Sequence, residues 1–254
     1  MAKSSPWKVA APGMPVKTLK AFTSFENPQK VAPQSKSFMA AIPDAPAKSA
    51  APSVDWRSSG AVPTPGFQGD LNACTSFAIV SVVESLHFIK HHARIRLAPG
   101  FIHTCLLERD GNQGATAEEA LDAAAAHGIA YGFPNDYPYP TDQCATGNLY
   151  PVSRRAWLAG PNAAMQVLAN QGPVVGDMWI DPAFLKVGPG TVYQFTQTPD
   201  QRLHTVAIVG YEQARGCWIV ANSFGTGWGD GGFGRVAFGS GGLLDDRGGW
   251  QILL

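Results

Sequence analysis

One cysteine and the polar residues that follow it far downstream constrain this chain more than any other feature. Cys74 ends a glycine-containing loop, Phe67-Gln68-Gly69-Asp70-Leu71-Asn72-Ala73-Cys74-Thr75-Ser76-Phe77, that runs into an apolar helical pattern. His204 lies 130 residues further on and Asn222 lies 148 residues further on. A thiol at neutral pH is mostly protonated, and it becomes a nucleophile beside a base, a cation or a helix N-terminus. Taken alone, Cys74 reads as a small buried thiol. Gln68, Cys74, His204 and Asn222, in that order, read as a nucleophile with its partners. A fold that uses them so has to bring the head of a buried helix against elements from the C-terminal third.

Composition narrows the class. The 254 residues are 45% apolar and 15% charged, enough for a sizeable core in one large or two small domains. The formal charge is zero but uneven. Residues 1–52 hold seven lysines against one glutamate and one aspartate, a net +5 that the rest balances with −5. A neutral chain without a basic cluster in its body gives no support for nucleic-acid binding. No apolar run approaches the length of a membrane span. The start, Met1 to Lys8, has no apolar core after its charge, so Sec export is not indicated.

The texture changes near residue 52. Residues 1–52 carry eight prolines and much alanine, serine and lysine. Proline fixes the backbone and lacks an amide donor, so extended or coil structure is expected. Two readings stand side by side, a flexible tail and a segment docked across the acidic body. Trp7, Phe22, Phe25 and Phe38 are anchors that a plain linker does not need. From Ser53 to Leu254 the chain reads as one body. Residues 74–92 predict a largely buried helix. Ala115–His127 and Pro161–Gln171 predict two more, stopped by Gly128 and Gly172. His204–Tyr211, Cys217–Asn222 and Gly232–Phe238 are β-rich runs between glycine-rich turns. Helices first and strands later predict an α+β fold with segregated layers.

The chemistry follows from position. The positive end of a helix dipole at Cys74 favours a thiolate. A strand is a rigid mount for the imidazole of His204. A carboxamide at Asn222 can accept from the imidazole N–H and fix its tautomer. The Gln68 side chain and the Cys74 amide can donate to a developing oxyanion.

At this point the motifs become specific. Val54-Asp55-Trp56-Arg57-Ser58-Ser59-Gly60-Ala61-Val62, then Gln68-Gly69, then Cys74 with Phe77, resembles the mature start of a papain-family cysteine peptidase. His204-Thr205-Val206-Ala207-Ile208-Val209-Gly210-Tyr211 resembles that family's histidine strand, and the spacing from cysteine to histidine and asparagine matches it. Asn222-Ser223-Phe224-Gly225-Thr226-Gly227-Trp228-Gly229 resembles its asparagine motif, and Asp136-Tyr137-Pro138-Tyr139 its mid-domain stretch. The resemblance covers about residues 53–254. It implies a two-lobed fold, a helical lobe facing a β-barrel-like lobe, with Cys74 and His204 meeting across the cleft as a thiolate–imidazolium pair. It also implies substrate contacts from Gly114, Ala115, Asp177, Thr205 and Phe224, with Phe224 standing where the family has a tryptophan over the His–Asn hydrogen bond. Cys105 and Cys144 match the family's second disulfide in position; two buried thiols are the alternative in a reducing compartment.

The departures are informative. Leu71 stands at the first cysteine of the usual nucleophile motif, and the loop that supplies its partner reads Gly111-Asn112-Gln113-Gly114, so both halves of one disulfide are gone together. Thr75 stands for a tryptophan, a large loss of volume. Cys217 is left without a partner and reads as a free core thiol. Asp177 carries two readings, attraction of a basic substrate side chain at the second pocket or a hydrogen-bonded aspartate.

Other signals are weaker. Gly229-Asp230-Gly231-Gly232-Phe233-Gly234 satisfies a dinucleotide pattern but precedes a strand instead of opening a helix. His87, His91 and His92 lack a third metal ligand in an evident motif, so no metal site is expected. The expectation is a cofactor-free, monomeric peptidase acting on peptide or protein substrates, with the 1–52 segment in its cleft as a restraint. A disulfide without a Sec signal suggests export or delivery by another route, which leaves an effector toxin as one alternative. A catalytically silent peptide-binding module is the other.

Overall fold

The computed structural model describes residues 8–9, 17–18, 42, 51–109, 113–132, 144, 148–245 and 247–254. In the N-terminal segment β1 (Lys8–Val9) pairs antiparallel with β2 (Lys17–Thr18). The body runs β3 (Ser53–Asp55), α1 (Cys74–His91), α2 (Ala117–His127), β4 (Ile129–Ala130), β5 (Leu149–Tyr150), β6 (Arg154–Leu158), α3 (Pro161–Asn170), β7 (Val174–Ile180), β8 (Val192–Tyr193), β9 (Arg202–Glu212), β10 (Cys217–Ala221), β11 (Phe233–Ala237) and β12 (Gly249–Leu253).

The three expected helices form. α1 stops where His92 adopts a left-handed conformation (φ 52°) and its amide bonds back to the Phe88 carbonyl. α2 begins two residues later than the sequence suggests. The Thr116 hydroxyl accepts from the Glu119 amide while the Glu119 carboxylate accepts from the Thr116 amide. That reciprocal cap ends the helix at Thr116 and leaves Gly114 and Ala115 outside it. α3 starts on Pro161, where a missing amide costs nothing.

The main sheet has the order β6-β12-β7-β9-β10-β11-β8, with β3 added against the end of β9. All of these pairings are antiparallel except β8 with β11. Side chains alternate across a strand, and the alternation splits the core in two. Val206 and Ile208 of β9, with Trp218 and Val220 of β10, face a core shared with α3, Phe184 and Trp228. Ala207 and Val209, with Ile219 and Ala221, face a second core built on α1 and α2. The sheet is therefore the wall between a helical layer and a β-lobe interior. This is the segregated α+β architecture expected, and α1 packs directly on β9. Gly210 makes one join possible: a Cβ there would overlap the Val54 carbonyl, so β3 lies against β9 only because residue 210 has no side chain.

Cys105 and Cys144 form a disulfide with a Cα–Cα separation of 5.3 Å. Cys217 opens β10 as a buried free thiol. No helix among the described residues is long and apolar enough to cross a membrane. Three described residues of the 1–52 segment are placed against the body: the Ala51 carbonyl accepts from the Tyr211 hydroxyl and the Pro52 carbonyl from the Gln213 amide, both at 3.0 Å, and Ile42 lies further back. Ile42 bridges Leu158 in parallel, donating to the Trp157 carbonyl (2.8 Å) and accepting from the Ala159 amide (3.1 Å). The Tyr-Pro-Tyr stretch, Gly111-Asn112 and the aromatic anchors Trp7, Phe22, Phe25 and Phe38 lie outside the described residues, as does the path of most of 1–52 relative to the cleft.

Candidate active site

β9 carries His204, and its antiparallel neighbour β10 ends at Ala221, so Asn222 emerges beside the histidine. His204 Nε2 lies 2.8 Å from Asn222 Oδ1. The same oxygen accepts from the Ser223 amide at 2.8 Å. The Ser223 donor fixes that atom as the carbonyl oxygen, so Nε2 is the nitrogen that carries a proton towards it and Nδ1 is left as the base. Phe224 stacks on the ring, with centroids 5.0 Å apart and planes at 29°, and Phe184 meets it edge-on at 5.7 Å. Burial among these rings pushes His204 down to about 4, against the pull of the Asn222 hydrogen bond.

Cys74 opens α1 and is half-buried. Its neighbour Thr75 lies 3.0 Å from the hydroxyl of Thr205, the residue after His204, which sets the helix head against the histidine strand. Burial pushes the thiol up; the Thr205 amide and the hydroxyls of Thr75 and Thr205 pull it down, and the Asp177 carboxylate adds to the rise. The helix N-terminus has no side-chain cap and no acidic residue in its first turn. The helix-end preference for a thiolate thus works against desolvation.

Gln68 is completely buried and ties the nucleophile loop to the asparagine loop. Its amide donates to the Ser223 carbonyl (2.8 Å), its Oε1 accepts from the Ser223 hydroxyl, and its Nε2 donates to the Leu71 carbonyl (2.6 Å). One side-chain proton remains for an oxyanion. The tie continues on both sides, because Phe67 bridges Phe224 and the Gly225 amide donates to the Gly66 carbonyl. Gly114 runs beside the same loop: a Cβ on it would sit 3.9 Å from Asn72. Ala115 is held by its carbonyl, which accepts from the buried Thr75 hydroxyl at 2.9 Å.

Thr75 also lies 3.0 Å from the Thr205 hydroxyl, and Thr205 lies 2.6 Å from the Asp177 carboxyl. The tryptophan-to-threonine departure has thus placed a polar chain under the site where volume was lost. Sequence reasoning missed this chain, along with Ser223 and Phe184. Ser223 sits inside the asparagine motif and could have been found there. Phe184 arrives from a short helical turn, Pro182–Lys186, with no local signal. Among the described residues no cluster of three potential metal ligands exists.

An α+β body with a cysteine at the head of a helix packed on the strand of a histidine–asparagine pair has the architecture of the cysteine-peptidase class. The chain is a member of the papain family: the family described as papain family cysteine protease matches residues 50–244. Ananain of Ananas comosus is 30% identical over 73% of this chain and 55% of its own length. Cathepsin S of Bos taurus is 28% identical over 74% of this chain and 60% of its own length. The chain thus spans little more than half the length of the curated relatives it matches. Among solved structures, the Carica candamarcensis cysteine protease CMS1MS2 in complex with E-64 superposes with a TM-score of 0.66 at 26% identity, covering 80% of this chain and 98% of that one. Digestive procathepsin L 3 of Tenebrio molitor shares the fold, with a TM-score of 0.70 at 24% identity over 86% of this chain and 75% of that one.

Proposed function

We propose that this protein hydrolyses peptide bonds with Cys74 as nucleophile, His204 as base and acid, and Asn222 as the group that orients His204. The observation that carries the reading is the His204–Asn222 pair: Asn222 accepts the hydrogen bond from Nε2, which leaves Nδ1 as the base, and Thr205, the next residue on that strand, meets Thr75 beside Cys74 at 3.0 Å. Cys74 transfers its proton to His204 Nδ1 and its sulfur bonds to the scissile carbonyl carbon. The oxyanion takes the Cys74 amide and the remaining Gln68 proton. Collapse expels the amine, which leaves with the proton from His204. Water, deprotonated by the same nitrogen, then cleaves the thioester and returns the thiol. Burial opposes both charges of a thiolate–imidazolium pair, so mutual attraction has to hold that pair. Gly114 and Ala115 offer backbone for an extended substrate, with Thr205 and Phe224 at its side chains. The thiol must be reduced, and no cofactor enters the scheme. A monomer acting on peptide or protein substrates fits this scheme.

The N-terminal segment is the second element of the proposal. Its basic charge complements the acidic body, and its role is to cover the cleft and restrain activity. Intact-mass labelling with an epoxysuccinyl thiol inhibitor at about pH 6, where ordinary thiols are protonated, tests both parts. The expected result is one adduct on the form starting at Ser53, slow labelling of the full chain, and none on Cys74→Ala. Equal rates for the first two would discard the restraint and keep the peptidase. No adduct on any form would transfer the fold to a peptide-binding role.

A further inference from the structure

Three oxygen–oxygen contacts run in series beneath the nucleophile. Thr75 Oγ1 lies 2.9 Å from the Ala115 carbonyl oxygen, 3.0 Å from Thr205 Oγ1, and Thr205 Oγ1 lies 2.6 Å from Asp177 Oδ1. Each contact of this length is held by one proton between its two oxygens. The carbonyl brings no proton and each threonine hydroxyl brings one. An ionised Asp177 would leave two protons for three contacts, and one buried pair of oxygens would meet lone pair to lone pair. A protonated Asp177 supplies the third.

We propose that Asp177 is kept as a neutral acid and acts as a positioning residue, its proton starting a one-way chain from Asp177 to Thr205 to Thr75 to the Ala115 carbonyl. The chain fixes the substrate-pairing backbone at Gly114–Ala115 against the first turn of α1. Its protonation rests on the three contacts alone; its purpose rests on the peptidase reading. The surroundings agree. Burial raises Asp177 above the ordinary carboxyl range, against the pull of the Thr205 hydroxyl and of Arg247. Arg247, in the turn before β12, has its guanidinium over the Trp179 ring at 4.6 Å. The other titrating neighbours are Cys74 on α1 and His204 next to Thr205 on β9. A charged Asp177 would raise the Cys74 thiol, so a neutral one removes an obstacle to the thiolate. Once ionised, Asp177 leaves the Thr75 proton to serve either Thr205 or Ala115, and the brace on Ala115 loosens.

The proposal differs from attraction of a basic substrate side chain, which needs a carboxylate. Infrared difference spectra of the full chain against Asp177→Asn at about pH 6 should contain the carbonyl stretch of a protonated carboxylic acid that only the parent has. A difference showing carboxylate bands alone overturns the proposal. In the labelling assay, Asp177→Val and Thr205→Val should each slow the reaction by about tenfold, the loss of one buried hydrogen bond. Asp177→Asn, which can donate from its amide, should recover that loss and flatten the alkaline fall of the rate. Asn as slow as Val, or an arginine-over-leucine substrate preference that vanishes in Asp177→Asn, would make Asp177 an ionised specificity residue instead. If the parent does not label at all, the peptidase reading fails while the infrared result still decides the protonation.

Discussion

The base and the nucleophile are held by opposite kinds of surroundings. His204 sits in an aromatic box of Phe224 and Phe184, with one carboxamide fixing its tautomer. Cys74 sits over hydroxyls and a carboxyl, Thr75, Thr205 and Asp177, at an uncapped helix end. Asn222 and Phe224 lie within the asparagine motif that resembles the papain family, with Phe224 in the place of its tryptophan, and Phe184 comes from the separate turn Pro182–Lys186. On the polar side Thr75 departs from the family, while Thr205 belongs to the histidine strand that resembles it. The carboxamide that orients the base thus comes with its motif, whereas the ring of Phe184 and the hydroxyl of Thr75 reach the site from outside the motifs.

The largest test of the contrast removes either partner. Cys74→Ala should abolish turnover and adduct formation, and His204→Ala should lower turnover by at least about 10³-fold, both read in a peptide-hydrolysis assay with circular dichroism confirming the fold. Next comes the box itself. Phe224→Ala should cost about 3–5 kcal/mol of stability in a urea titration and lower kcat, because water reaches the His204–Asn222 bond. A comparable Tm loss with unchanged kcat would show that the box serves packing alone. On the nucleophile side, replacing Cys105 and Cys144 together by serine should cost about 2–4 kcal/mol, with labelling of Cys74 unchanged under the same conditions.

The smallest effect is visible only in part of the pH range. Glu84 is buried in α1, its carboxyl accepts from the Leu97 amide at 2.8 Å, and burial raises it to about 7. Below its ordinary value near 4.5 both folded and unfolded states carry the proton. Between that value and about 7 the folded state holds the proton longer, so stability falls as pH rises. Glu84→Gln should leave stability unchanged at about pH 4 and raise it by up to about 3 kcal/mol above about pH 7. His204 works the other way, since a base buried neutral loses stability as pH falls from 6.5 towards about 4. Thermal melts of parent and variant across that range separate the two slopes.

What was legible in the sequence follows the same division. The helix over residues 74–92 is apolar on most faces, and glycine marks the ends of the other two, so existence and type were readable. The start of α2 was misplaced because Ala115 continues the alanine-rich texture, while the cap at Thr116 depends on a Glu119 side chain turning back. Gln68, Cys74, His204 and Asn222 were readable because each occupies a fixed place in a local motif. Thr75, Thr205 and Asp177 come from α1, β9 and β7, and they are joined by the register that sets Asp177 opposite Thr205 and by the packing of α1 on β9. No single segment carries that information.

The bridge at Ile42 reaches beyond catalysis. β6 forms one margin of the main sheet, and strand margins with unpaired amides and carbonyls are templates for other chains. Ile42 occupies part of that margin by bonding Trp157 and Ala159, with its side chain packed on the β-lobe core. A form starting at Ser53 would lack that cover, and its bared edge should make it more prone to self-association than the full chain.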